Sequence, residues 1–164
     1  MTGPRLIASF GGVGFLKPAP GTWGSLAALP VYYVLHGIGQ FPLVALAAIL
    51  LFFAGLKATR EVTREGDHDP SWVVVDEVVG QWIALFPMSI GLWVMGFDSW
   101  GFPWPGYVLG FALFRLFDIW KPWLVGRADR RGDAMGVMLD DVWAGIFAGL
   151  CVAVLGAVAH LVLV

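Results

Sequence analysis

From Pro18 to Leu56 the chain carries no Asp, Glu, Lys or Arg. A stretch of that length without charge belongs in a bilayer or in a deep core. Gly37 to Pro42, GIGQFP, divides it at a turn signal. The first part, about Ser25 to His36, is short and contains Pro30; the second, Leu43 to Leu56, is rich in Leu, Ala and Phe and reads as a helix. Further on, Val78 to Phe97 gives 20 charge-free residues, enough to span about 30 Å at helical rise, with Pro87 expected to kink it. Val142 to Val164 gives 23 apolar residues broken only by His160, and Gly106 to Phe117 is apolar except for Arg115. The expected fold is all-α: a membrane-embedded bundle of about five apolar helices within one domain, residues 1–164. Two of these helices are of span length and three are short. The competing reading is a compact helical protein whose short apolar segments are core or re-entrant.

Composition agrees with the first reading. Charged residues make up 13% of the chain, against about 25% in an ordinary soluble protein. The 9 Trp and 22 Gly suit interfacial rings and close helix packing. Such helices permit association, and the oligomeric state stays open. A net charge of −2 argues against a nucleic-acid partner. Cys151 is the lone cysteine and lies in an apolar run, so it reads as a structural thiol. Leu6 to Leu16 is apolar but interrupted by Gly11, Gly12 and Gly14, which argues against a signal peptide. With a cytoplasmic N-terminus and one crossing per apolar segment, all 10 Lys and Arg fall on the cytoplasmic side. Asp98 is the single acid expected on the other side, and the turns GIGQFP and DSWGFPWP carry no cation.

Three polar patches meet at that cytoplasmic end. PAPGTWGS, Pro18 to Ser25, combines glycines that allow close backbone approach with Thr22 and Ser25 as helix caps. Its helix N-terminus offers N–H groups to an anion, although on this motif alone a plain turn with a cap is the preferred reading. Asp76-Glu77 stands between an apolar triplet and an apolar helix. Acids in a first turn suit the helix dipole, but two carboxylates at a membrane edge also call for a counter-cation. Mg²⁺ takes a few carboxylates and completes its octahedron with water and phosphate. The third patch, Phe114 to Asp141, holds Arg115 and Asp118 at i and i+3, then Lys121-Pro122, Asp129-Arg130-Arg131 and Asp140-Asp141. Lys121-Pro122 is expected to end a helix, and Asp140-Asp141 is expected at the threshold of the next one. Arg115 and Asp118 read alone as an ion pair, and DRR as a solvated basic loop.

Absences narrow the chemistry. There is no Cys-x₅-Arg and no Asp-x-Asp-x-Thr, which removes cysteinyl- and aspartyl-phosphate routes. His36 and His160 lie in apolar segments, and His68 sits in a polar loop, where it reads as a solvated loop histidine ahead of a base or second-layer candidate. What remains is carboxylate-bound metal activating water while Arg and Lys steady a phosphate. A reading of another class is a small transporter or channel whose Arg115 and Asp118 line an ion path.

The ordered motifs PAPGTWGS, DEVVGQWIALF, FRLFDIWKPW, DRR and MGVMLDDVWAG, from Pro18 to Gly145, resemble phosphatidylglycerophosphatase A. That resemblance implies an all-helical, Mg²⁺-requiring lipid phosphatase of the bacterial inner membrane, with its active site on the cytoplasmic face. It would hydrolyse phosphatidylglycerophosphate to phosphatidylglycerol and phosphate. The family's acids correspond to Asp76, Glu77, Asp118, Asp140 and Asp141, and its cations to Arg115, Lys121, Arg130 and Arg131. The resulting expectation gives Asp76, Glu77, Asp140 and Asp141 to the metal and Asp118, Asp140 and Asp141 to catalysis. Arg115, Lys121, Arg130, Arg131 and Thr22 go to the phosphate. Two departures stand out: Leu124 replaces a proline, and Gly132-Asp133-Ala134 replaces a Gly-Gly pair with a shorter, more acidic linker.

Overall fold

A computed structural model describes residues 2–64 and 70–163. Among these residues all regular structure is helical: α1 (Gly3–Ala8), α2 (Pro20–Val62), α3 (Val75–Val94), α4 (Trp104–Trp120), α5 (Leu124–Asp129) and α6 (Ala134–Leu163), with a single 3₁₀ turn at Val13–Phe15. His68 lies outside the described residues.

α2 runs through 43 residues but is two arms. Gly39 (φ −141°, ψ 15°) and Gln40 (φ 52°, ψ −153°) leave helical geometry, and Pro42 follows. The break expected at GIGQFP is therefore present, and five apolar rods result: both arms of α2, then α3, α4 and α6. α2, α3 and α6 are long and apolar enough to cross a membrane. α4, at 17 residues, is shorter.

α3 is the central rod. Its Val75 and Val79 join a cluster with Leu56 and Met138, its Val78, Trp82 and Leu85 join Tyr32 and Val44, and its Ala84 joins Phe114 and Ala148. Trp82 Nε1 donates to the Ala28 carbonyl at 2.9 Å, and Tyr32 Oη donates to the Leu85 carbonyl at 2.7 Å. Each such buried bond contributes about 1 kcal/mol net. Against α6 the contact depends on absent side chains. A Cβ at Gly80 would run into the Asp141 carbonyl, and one at Gly145 into the Gly80 carbonyl. This close approach is how apolar helices associate where no hydrophobic force separates protein from lipid.

Outward-facing positions are large and apolar: Leu46, Ile49, Leu50 and Phe53 on α2, Leu116 and Ile119 on α4, and Leu150, Val154 and Val158 on α6 are all exposed. A surface of that kind fits lipid contact. The two ends of the bundle differ. The turn at Gly39 and the segment 95–103 meet at one end, where Tyr33 Oη donates to the Trp100 carbonyl at 2.7 Å and Trp100 lies over Gly37. The charged loops gather at the other.

Candidate active site

α3 begins with Val75, and Asp76 and Glu77 occupy its first turn. Val74 is its N-cap residue and makes no side-chain cap bond. The preceding valines pin that start: Val73, Val74 and Val75 are buried, and the Val74 N–H donates to the Ala8 carbonyl at 2.9 Å. The two acids are thus held by an apolar anchor on one side and a buried rod on the other. The Gly80–Gly145 approach then sets α6 beside them.

α6 starts earlier than the sequence suggested. Asp133 immediately precedes Ala134, and its Oδ1 accepts the Gly136 N–H at 2.7 Å, the bond of an N-cap. Both its carboxylate oxygens also meet the Arg131 guanidinium at 3.1 Å. Those contacts, Arg131 first and the Gly136 N–H second, hold the Asp133 carboxyl below its usual range. Asp140-Asp141 therefore sits nearly two turns inside α6 rather than at its threshold, and both residues are buried. The unusual Gly132–Ala134 linker is a helix start.

Asp76, Glu77 and Asp141 each turn one carboxylate oxygen toward a common point, and these oxygens lie within 4.8 Å of one another. Glu77 Oε2 and Asp141 Oδ1 are buried and have no hydrogen-bond partner among the described residues. Two unit charges about 4 Å apart repel by about 4 kcal/mol at an effective dielectric near 20. Three carboxylates at this spacing therefore call for a cation. A cavity of about 250 Å³ opens over them, lined also by Gly21, Arg115, Asp118, Lys121, Asp129 and Asp140. Among the described residues its wall thus holds six carboxylates and two cations. The donor set of the described cluster is all oxygen, which suits a hard divalent ion.

The two cations come from α4 and its end. Arg115 Nη1 pairs with Asp118 Oδ2 at 2.6 Å, the i, i+3 contact expected from spacing, while Arg115 Nε is buried without a partner. Arg115 Nη1 also faces Ser25 Oγ at 3.5 Å, and Ser25 Oγ donates to the Gly21 carbonyl at 2.9 Å. Lys121 terminates α4 in the left-handed region (φ 50°). Its Nζ bridges Asp129 and, at 3.2 Å, Asp140. Burial works against the Lys121 ammonium, but Asp129 and Asp140 outweigh it and hold its proton above the usual lysine range.

Seven of the expected residues thus meet at one cavity: Asp76, Glu77, Arg115, Asp118, Lys121, Asp140 and Asp141. Three lie outside its wall. Arg130 is exposed just after α5, Arg131 is exposed and engaged by Asp133, and Thr22 is half-buried in the first turn of α2. Neither Thr22 nor Ser25 caps α2; Ala19 holds the N-cap position with no side-chain bond, and Pro20 follows as first helical residue. The Thr22 and Trp23 N–H groups both donate to the Ala19 carbonyl. Gly21 matters for another reason: a Cβ there would overlap the Glu77 carboxylate. One charged wall residue, Asp129, and one residue facing Arg115, Ser25, escaped the sequence reading. Asp129 was hidden in an apparently solvated DRR loop, and its approach to Lys121 depends on the backbone reversal at Lys121 and Trp123, both at positive φ. Ser25 looked like a cap.

Comparison with known proteins accords with this geometry. The family model of phosphatidylglycerophosphatase A matches residues 6–156. Phosphatidylglycerophosphatase A of Escherichia coli is 33% identical over 146 residues, 88% of this chain and 78% of that protein. The Haemophilus influenzae protein of the same name is 34% identical over 150 residues, 90% of this chain and 85% of that one. A Bacteroides thetaiotaomicron protein named "Putative phosphatidylinositol-3-phosphatase" is 39% identical over 156 residues, 92% of each chain. No solved structure matches the chain. A match over nearly the whole bundle displaces the transporter reading: the chain belongs to the phosphatidylglycerophosphatase A family and is a phosphatase.

Proposed function

We propose that the protein is a Mg²⁺-dependent lipid phosphatase of the bacterial inner membrane. Its reaction would convert phosphatidylglycerophosphate to phosphatidylglycerol and inorganic phosphate at the cytoplasmic face. The observation that carries this reading is the cluster of Asp76, Glu77 and Asp141 oxygens within 4.8 Å, two of whose carboxylates have a buried, unpartnered oxygen. It is supported by the family match and by the names of the Escherichia coli and Haemophilus influenzae relatives.

Asp76, Glu77, Asp140 and Asp141 are the metal ligands in this reading. A bound Mg²⁺ would supply charge neutralisation and a more acidic water. Arg115 and Lys121 face the cavity from α4 and grip the phosphate oxygens, Arg115 through its paired N–H groups and Lys121 as a point charge. Lys121 exchanges its Asp129 contact for phosphate as substrate enters. Asp118, oriented by Arg115, takes the proton from the attacking water. The water oxygen bonds to phosphorus in line as the bond to the glycerol oxygen breaks, and that oxygen takes up a proton. Arg130 and Arg131, with the Thr22 hydroxyl, attract the headgroup at the cavity mouth. The apolar helices hold the acyl chains, and the exposed Trp120 and Trp123 anchor the mouth at the interface.

The name of the Bacteroides relative favours a second substrate, a phosphoinositide monoester. Purified protein given each lipid in the same mixed micelles with Mg²⁺ separates the two. Phosphate release with the higher kcat/KM on phosphatidylglycerophosphate is expected. A preference for phosphatidylinositol 3-phosphate would overturn the substrate, and release from neither would overturn the reaction.

A further inference from the structure

Away from the catalytic cavity, the second arm of α2 ends in a groove of about 630 Å³ lined by Phe53, Leu56, Lys57, Arg60, Glu61 and Arg64. Lys57 and Arg60, at i and i+3, share a face of α2, Arg64 follows just past its end in the same groove, and all three are exposed. Directly along the same helix, Leu46, Ile49, Leu50 and Phe53 form an exposed apolar stripe; Leu50 is 61% and Phe53 63% exposed. The stripe runs into the basic groove. Among the described residues one acid, Glu61, lines the groove, and Asp133, already bound to Arg131, approaches Arg60 from the start of α6. An apolar track leading to a cluster of cations is complementary to one ligand shape: acyl chains below a negatively charged head.

We infer that this groove binds the phosphate headgroup of an anionic phospholipid, whose chains lie along Leu46, Ile49, Leu50 and Phe53. The lipid is a bound component of the bilayer rather than the substrate. None of these residues lines the catalytic cavity. Cations at a membrane surface each contribute enough to change anionic-lipid affinity about fivefold, so three in one groove favour an anionic over a zwitterionic lipid. The inference does not depend on which lipid is hydrolysed.

Native mass spectrometry of the full chain tests it, with the protein released from micelles holding equal amounts of phosphatidylglycerol and phosphatidylcholine. The wild-type chain is expected to retain phosphatidylglycerol preferentially. Lys57→Ala, Arg60→Ala and Arg64→Ala should each lower that retention about fivefold, and the triple variant should abolish the preference. Turnover in a phosphatidylcholine background should stay at the wild-type rate, which also reports that the variants fold. Phe53→Ala should weaken retention of long-chain but not of short-chain phosphatidylglycerol. Inorganic phosphate should not compete. Three results would overturn the proposal: unchanged retention in the single and triple variants, an equal loss on substituting the distant exposed Lys17→Ala, or displacement of the lipid by inorganic phosphate.

Discussion

The two ends of the bundle handle polarity in opposite ways. At the end formed by the Gly39 turn and residues 95–103, Asp98 is the one acid and the other polar groups are neutral. Tyr33 Oη donates to the Trp100 carbonyl, His36 Nδ1 meets Ser89 Oγ at 2.7 Å while His36 Nε2 is buried without a partner among the described residues, and Tyr33 packs edge-on against Trp100 and Phe102. At the other end ionisable groups crowd together, and among the described residues Glu77 Oε2, Asp141 Oδ1 and Arg115 Nε are left buried without partners. Unpaired buried polar atoms cost free energy, about 1–3 kcal/mol each and more when charged. Among the described residues, the charged groups that carry this cost lie at the cavity end, where a ligand can offset it. The comparison separates what stabilises the bundle from what does chemistry.

That division is breakable by mutation, and the largest effects belong to the charged end. Asp76→Asn and Asp141→Asn should each lower kcat on the order of 10²- to 10³-fold, while melting in detergent stays unchanged or rises because like charges are relieved. Loss of the fold instead would make these acids structural. Arg115→Lys comes next. It retains charge but loses the paired N–H geometry, and a fall in kcat/KM of about thirtyfold is expected, equivalent to about 2 kcal/mol. At the closed end the signature reverses. Trp100→Ala removes the cover over Gly37 and should lower stability by about 2 kcal/mol, less than a fully buried tryptophan because Trp100 is half-exposed. Its kcat should remain within about twofold of wild type; a larger loss would show the ends to be coupled.

The smallest effect lies on the capping acid. Asp133→Ala should cost about 1 kcal/mol through the α6 cap. Because the folded state lowers the Asp133 pKa, its contribution is present above the ordinary carboxyl range and is lost as pH falls through the folded value. Denaturation of wild type and variant should therefore converge in acid. A gap that persists at low pH would show that the cap bond does not depend on ionisation.

The apolar rods were legible in the sequence because charge-free runs have few alternatives. GIGQFP marked the break in α2, and Asp76-Glu77 marked the start of α3. The cap of α6 was not legible. Asp133 looked like an intruding acid in a basic loop, and its capping role depends on the backbone turning at Gly132 (φ 64°). The same holds for Ala19, a cap without a capping side chain, and for Asp129, brought to Lys121 by residues with positive φ. Residue types announced the chemistry of the carboxylates. What brings them together, the glycine contact between α3 and α6, reads in sequence only as ordinary Gly richness.

Phosphate release from phosphatidylglycerophosphate, followed against free Mg²⁺ and with EDTA, tests the central claim most directly. The wild-type chain should be active with Mg²⁺ and silent in EDTA, and Asp76→Asn and Asp140→Asn should lower Mg²⁺-dependent release on the order of 10²- to 10³-fold. Release that survives EDTA, or that stays at the wild-type rate in both variants, would contradict the assignment of these carboxylates to a metal-dependent phosphatase centre.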